Sequence, residues 1–179
     1  MNEYRFKLCI FGDGGVGKTT LIQRYLEGVF KATFRETVGM DFYLKKLEYD
    51  GKKISLQVWD FGGEEKFRFL LPGAVSGANG CIFLYDITRY FTFKNLDNWL
   101  KVFNESNREQ GQTVSTILVG SKLDLKEARV VAEADAVKFS KANGFNYIEC
   151  SSKSGENVEK VFLTIAELMM KNATYLKDL

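Results

Sequence analysis

Eight consecutive residues constrain this chain more than any others: Gly12-Asp13-Gly14-Gly15-Val16-Gly17-Lys18-Thr19. They satisfy G-x-x-x-x-G-K-[ST] throughout. They stand between an apolar run, Phe6-Lys7-Leu8-Cys9-Ile10-Phe11, and a helical pattern from about Lys18 to Glu27. A strand, a glycine-rich turn and a helix N-terminus are the setting this pattern requires. The glycines let the backbone wrap a polyphosphate, with N–H groups pointing inward at the positive end of the helix. The expected phosphate-binding set is Asp13, Gly14, Gly15, Val16, Gly17, Lys18, Thr19 and Thr20. Lys18 is placed to reach the β- and γ-phosphates, and the Thr19 hydroxyl to ligate magnesium. Gly14 leaves the loop open where a larger side chain would crowd a γ-phosphate. By itself the loop specifies a nucleotide phosphate, not which base.

Beyond the loop, apolar runs alternate with helical patterns to the end of the chain. Asp41 to Tyr49 and Lys52 to Asp60 read as two strands joined by Asp50-Gly51, a strong hairpin signal. Gly80 to Asp86 and Val114 to Gly120 read as buried strands, and Tyr147 to Cys150 as the last one. Phe93, Leu96, Trp99, Leu100 and Phe103 form one amphipathic helical stripe. A further helix is expected from about Ala132 to Asn143, closed by Gly144. Val158, Val161, Phe162, Ile165, Leu168 and Met169 mark a long final helix. Apolar strands alternating with helices predict a six-stranded, mostly parallel sheet with one antiparallel hairpin and helices on both faces. No repeat or linker interrupts the pattern, so residues 1–179 are expected to form one α/β domain.

Composition narrows the chemistry. With 25 Lys and Arg against 23 Asp and Glu, the net charge of +2 gives no footing for nucleic acid or a polybasic membrane patch. No apolar run approaches the roughly 20 residues needed to span a bilayer, and Met1-Asn2-Glu3-Tyr4-Arg5 lacks a signal-peptide core. A cytoplasmic chain is expected. The cysteines Cys9, Cys81 and Cys150 each lie in an apolar stretch and read as buried thiols in a reducing compartment. There is no histidine, which excludes imidazole-based triads and zinc sites. Catalysis must come from carboxylates, lysine, hydroxyls, backbone amides or a bound ion.

Ser121-Lys122-Leu123-Asp124 follows a buried strand, where ligand sites of α/β sheets gather. Asp124 can accept hydrogen bonds from the N1–H and 2-amino groups of guanine. Adenine would leave that carboxylate unpaired, a mismatch that costs a factor of roughly 10⁴ or more. The stem of Lys122 can lie along the base plane, and Ser151-Ser152-Lys153 can offer the Ser152 N–H to the guanine carbonyl.

With these motifs in this order, the chain resembles a small GTPase of the Ras superfamily over essentially its whole length, closest to the Rab branch. The phosphate loop, Thr37, Trp59-Asp60-Phe61-Gly62-Gly63, Ser121-Lys122-Leu123-Asp124 and Ser151-Ser152-Lys153 carry the resemblance. Rab-like features are Val38-Gly39-Met40-Asp41-Phe42, Glu65-Lys66-Phe67-Arg68, Tyr85-Asp86-Ile87-Thr88 and Asn98-Trp99-Leu100. The resemblance implies the P-loop NTPase fold, GTP or GDP with Mg²⁺, and slow hydrolysis of GTP. It further implies that Thr37 contacts magnesium and the γ-phosphate, and that Phe30 packs against guanine. Asp60 would hold magnesium, and the Gly63 N–H would touch the γ-phosphate. Loss of that phosphate would release both loops. Effectors would read residues around Thr37 to Phe42, Trp59, and Phe61 to Leu71, and exchange-factor and GTPase-activating proteins would act on the same switch regions.

Several positions depart from the family pattern. Glu64 stands where the family's catalytic glutamine follows D-x-x-G. Glutamine orients the attacking water as donor and acceptor, whereas ionised glutamate only accepts. Ser121 replaces the usual asparagine, and the shorter side chain is expected to lose contacts to the base and the phosphate loop. Gly62-Gly63 is Arf-like, and Ala74-Val75 replaces the tyrosine pair of Rab second switches. Asn2 is not a myristoylation site and Leu176-Lys177-Asp178-Leu179 offers no prenylated cysteine, so no membrane anchor is expected in this chain.

The expected catalytic set is Lys18, Thr37, Gly63 and Glu64, and the expected magnesium set is Thr19, Thr37 and Asp60. Arg35 reads either as an arginine acting in cis or as a solvated loop charge. The main expectation is a monomeric GTP-dependent switch, signalling through its two loops in membrane trafficking or related regulation. Two alternatives stay open. One is a GTP-binding interaction module with negligible hydrolysis because of Glu64. The other is a P-loop nucleoside kinase, which the hairpin after Thr37 leaves little room for.

Overall fold

The computed structural model of the chain describes residues 3–31, 37–63, 71–108 and 113–175. Arg35, Glu64 and the segment Glu65-Lys66-Phe67-Arg68 lie outside the described residues, as do residues 1–2 and 176–179. Six strands form one sheet: β1 (Tyr4–Phe11), β2 (Met40–Tyr49), β3 (Lys52–Phe61), β4 (Gly80–Asp86), β5 (Ser115–Ser121) and β6 (Asn146–Glu149). The helices are α1 (Lys18–Glu27), α2 (Leu71–Val75), α3 (Tyr90–Lys94), α4 (Leu96–Arg108), α5 (Glu133–Ala142) and α6 (Val158–Tyr175).

The strand order is β2-β3-β1-β4-β5-β6. Among the described residues only β2 and β3 pair antiparallel, across a turn in which Asp50 and Gly51 both have positive φ, 51° and 68°. That is the backbone for which Asp-Gly is suited. All other pairs are parallel. Successive strand residues point to opposite faces, so β1 divides its apolar side chains between two cores. Leu8 and Ile10 pack with Leu21 of α1 and with Val161, Phe162 and Ile165 of α6. Cys9 and Phe11 pack on the other face with Trp99, Leu100 and Phe103 of α4. Both faces are therefore covered by helices, which is why β4 is buried along its whole length.

The amphipathic stripe through Phe93 and Trp99 is not one helix. It breaks at Asn95, which ends α3 and accepts the backbone N–H groups of Asn98 and Trp99. The three cysteines are buried, and none is in a disulfide.

The connection leaving β1 runs to α1, whereas β3 and β4 flank β1 on opposite sides. The phosphate loop thus opens at the point where the strand order reverses, the usual crevice for ligands in such sheets. The loops after β3, β4, β5 and β6 leave the same end.

Candidate nucleotide site

The loop between β1 and α1 is held from beneath. Gly12 has φ 149°, and a β-carbon there would stand 2.2 Å from the Leu84 carbonyl oxygen of β4. Only glycine lets the backbone pass that close. Lys18 opens α1 and turns its ammonium back over the loop, donating to the carbonyls of Gly12 (2.8 Å) and Asp13 (3.0 Å). It is only 6% exposed. Burial pushes its pKa down to about 8, against the pull of Asp60 and Asp13 and with a smaller contribution from Arg89.

Thr19, on the first turn of α1, meets Thr37 and Asp60. Its Oγ1 lies 2.8 Å from Thr37 Oγ1 and donates to Asp60 Oδ2 at 2.5 Å, and Thr37 Oγ1 donates to the same oxygen at 3.3 Å. Asp60 comes from β3 and is fully buried. Its other oxygen, Oδ1, has no hydrogen-bond partner among the described residues. Burial raises the Asp60 pKa, against the threonine bonds and Lys18. An orphaned carboxylate oxygen beside two hydroxyls is a hard, all-oxygen donor set of the kind a small divalent cation takes. Thr19, Thr37 and Asp60 therefore fit Mg²⁺.

Gly63 lies directly on the loop, at Asp13 and Gly14. The segments carrying Thr37 and Gly63 are themselves tied, through Gly62 N–H to the Gly39 carbonyl (2.9 Å) and the pairing of Met40 with Phe61. Beside Gly14 a cavity of about 460 Å³ opens, lined among others by Gly63, Arg89, Thr92 and Asn95.

The second half of the site comes from the ends of β5 and β6. Asp124 opens a 3₁₀ turn at Leu123–Ala128, and Ser151 Oγ donates to its Oδ1 at 2.6 Å. Leu123 N–H donates to the Cys150 carbonyl, which binds the two loops together. Ser121 is buried, and its hydroxyl lies 2.6 Å from the Val16 carbonyl and 2.9 Å from that of Tyr85. The expected loss of the phosphate-loop contact is thus corrected. The loop comes close enough to the end of β5 for a serine to span the gap.

Other candidate residues are placed as follows. The Asp13 side chain turns away from the loop interior. Its Oδ1 accepts from Asn95 Nδ2 (2.6 Å) and Trp99 Nε1 (2.8 Å), so only its backbone serves the loop. Lys122 has a left-handed backbone and pairs with Asp86 at 2.6 Å. Phe30 is 40% exposed beyond the end of α1 and belongs to neither core. Gly15, Val16 and Gly17 lie within the loop, Thr20 on α1, and Ser152 and Lys153 in the turn after β6.

Asp86, Arg89, Asn95 and Trp99 were missed as supports of the site. The one local signal was a carboxylate ending a strand that is otherwise apolar. Asp86 accepts from Thr88, Arg89 and Lys122. Burial works against its charge, but the Lys122 and Thr88 bonds outweigh it and its pKa falls below the ordinary value.

A phosphate-loop sequence at the sheet's switch point, an oxygen cluster that fits magnesium, and Asp124 held beside the end of β6 define a nucleotide-binding protein of the small G-protein fold. The family model described as Ras family matches residues 7–171. The chain is 39% identical over 168 residues to Ras-related protein Rab-8B of Homo sapiens, spanning 94% of this chain and 80% of that protein. It is 39% identical over 171 residues to Ras-related protein Rab-13 of Canis lupus familiaris, spanning 95% and 83%. Ras-related protein Rab-30 of Homo sapiens is likewise 39% identical over 171 residues, spanning 96% and 83%. The chain belongs to the Ras family, near its Rab branch, and is a GTP-binding small GTPase.

Proposed function

We propose that this protein is a switch that hydrolyses bound GTP slowly and signals, as a monomer, through the segments holding Thr37 and Gly63. The observation that carries the reading is the meeting of Thr19, Thr37 and Asp60 around one unsatisfied carboxylate oxygen. It joins Thr37, ahead of β2, to Thr19 of α1 and Asp60 of β3. Gly63 and the Gly62–Gly39 bond support coupling of the second segment to the first.

In the reaction, water attacks the γ-phosphorus and the bond to the β–γ bridging oxygen breaks, so that GDP leaves with that oxygen and the water's proton passes to the phosphate released. Lys18 and the loop amides hold the polyphosphate and offset charge on the departing oxygen. Thr37 and the Gly63 N–H orient the γ-phosphate. Thr19, Thr37 and Asp60 would hold Mg²⁺, which would supply charge neutralisation on the polyphosphate. Asp124, Lys122, Ser121, Ser151, Ser152, Lys153 and Phe30 select and hold guanine. Intrinsic turnover is on the order of 10⁻⁴ s⁻¹, as for an isolated relative without an activating partner.

Partners in this reading are exchange factors, activating proteins and effectors at residues 37–42, Trp59 and 61–71. They place the protein in the cytoplasm and peripherally on membranes, in traffic or related regulation.

A second reading rests on Glu64. An ionised glutamate can only accept hydrogen bonds, which favours a GTP-binding interaction module with negligible turnover. Single-turnover conversion of bound GTP, followed by chromatography of extracted nucleotide, separates the two. Turnover in the wild type that Lys18→Ala abolishes supports the switch. Stable GTP in the wild type, with turnover appearing in Glu64→Gln, makes Glu64 a brake and favours the module.

A further inference from the structure

The ion-paired corner after β4 reaches the phosphate loop. Asp86 Oδ2 takes both Lys122 Nζ, at 2.6 Å, and Arg89 Nε, at 3.0 Å. Arg89 then extends Nη2 to the Gly14 carbonyl oxygen at 3.0 Å. The corner is itself rigid. Asp86 Oδ1 accepts the Thr88 N–H and hydroxyl, Thr92 Oγ1 donates to the Arg89 carbonyl, and the Asp86 N–H donates to Thr92 Oγ1. An unbroken chain of contacts thus runs from the lysine of the base-reading segment to the carbonyl of the phosphate loop.

A trans peptide sets its C=O and N–H in opposite directions. A guanidinium that holds the Gly14 oxygen on the outside of the loop therefore aims the Gly15 N–H at the inside, where a polyphosphate sits. We propose that Arg89 is a positioning residue for nucleotide binding. It fixes the Gly14–Gly15 peptide, and through Asp86 makes that alignment depend on Lys122. Two-point geometry is what selects arginine here. Its planar fork reaches Asp86 with Nε and Gly14 with Nη2 at once, whereas a lysine ammonium is a point charge that can keep the ion pair but not the bridge. Arg89 touches neither base nor phosphate in this scheme. It acts through the loop.

The inference rests on the guanine-nucleotide reading of the loop. The test is release of N-methylanthraniloyl-GDP with Mg²⁺, together with the Gly15 amide resonance of the GDP complex. Both are measured in the wild type, Arg89→Ala and Arg89→Lys. In each variant, release should quicken about three- to tenfold, the scale of one partly exposed charge-assisted hydrogen bond. The Gly15 amide proton should shift upfield as its bond to phosphate weakens. Either quantity unchanged in Arg89→Ala overturns the proposal. So does Arg89→Lys restoring both to wild-type values, since the Asp86 ion pair alone would then suffice. Failure of the wild type to bind the labelled GDP would instead bring down the nucleotide reading, and this inference with it.

Discussion

A β-carbon on Gly63 would stand 2.2 Å from the Gly14 amide nitrogen and 2.3 Å from the Asp13 carbonyl carbon. Both neighbours are backbone, so no side-chain end can swing aside. Gly63→Ala must push the segment off the phosphate loop or distort the loop. Overpacking of this kind costs about 1–3 kcal/mol, and urea unfolding of the nucleotide-free protein should show that loss. An unchanged midpoint would mean that the Gly63 segment lifts clear at no cost.

The Asp13 carboxylate is buried and anchors the loop to Asn95, between α3 and α4, and to Trp99 of α4. Asp13→Ala removes the acceptor shared by the Asn95 and Trp99 donors and should destabilise the protein by about 1–3 kcal/mol. Asp13→Asn keeps a carbonyl oxygen facing both donors and should lose clearly less. Thermal or urea unfolding of the pair checks the ordering. Equal losses would show that the negative charge, not the acceptor geometry, holds the loop.

How far the sequence reveals such features depends on whether the partners are neighbours in the chain. The phosphate loop was legible because its glycines, Lys18 and Thr19 are contiguous. The hairpin was legible because Asp50-Gly51 carries its turn geometry locally. Asp13 was assigned to the ligand from its place in the motif. Its tether lies 82 residues away at Asn95, between α3 and α4, and 86 residues away at Trp99 of α4, and only the fold brings them together. The break at Asn95 was hidden because the apolar stripe keeps its spacing across it. The last strand runs Asn146–Glu149 where Tyr147 to Cys150 was expected, a boundary that apolar content alone does not fix. Glu64 lies outside the described residues.

Ser121 offers one donor to two carbonyls, those of Val16 and Tyr85. A hydroxyl has a single proton, so the two acceptors share it. Ser121→Ala removes the link between β5 and the loop and should speed GDP release by about tenfold, the effect of one buried hydrogen bond. Ser121→Asn brings two N–H donors and should serve both carbonyls, slowing release below the wild-type rate. Stopped-flow release of a fluorescent GDP measures both. Asparagine faster than serine would mean that the buried slot is too small for the amide.

The pH dependence of stability should register a network that joins Arg129, directly after the Leu123–Ala128 turn, to β6. Arg129 binds Glu149 with two parallel bonds, Nη1 to Oε1 at 2.7 Å and Nη2 to Oε2 at 2.6 Å. The Tyr147 hydroxyl donates to Glu149 Oε1, and Tyr85 and Tyr147 hydroxyls lie 2.7 Å apart. Burial tends to raise the Glu149 pKa, but the bonds from Arg129 and Tyr147 outweigh it and hold the carboxyl below its ordinary 4.5. A carboxyl whose pKa is lower folded than unfolded binds fewer protons in the native state. Its contribution is therefore complete above about pH 4.5 and is lost as pH falls through the folded value. Glu149→Gln keeps the size of the side chain and removes the charge. The gap in unfolding free energy, from urea titration, between wild type and Glu149→Gln should be about 1–2 kcal/mol near pH 7. Below pH 4.5 it should narrow steadily. Because Glu149 directly precedes Cys150 and Ser151, whose backbone and hydroxyl hold Leu123 and Asp124, the same variant should release GDP faster at neutral pH. A gap that stays constant from pH 7 to pH 3 would show that the pair adds shape but no charge-dependent stability.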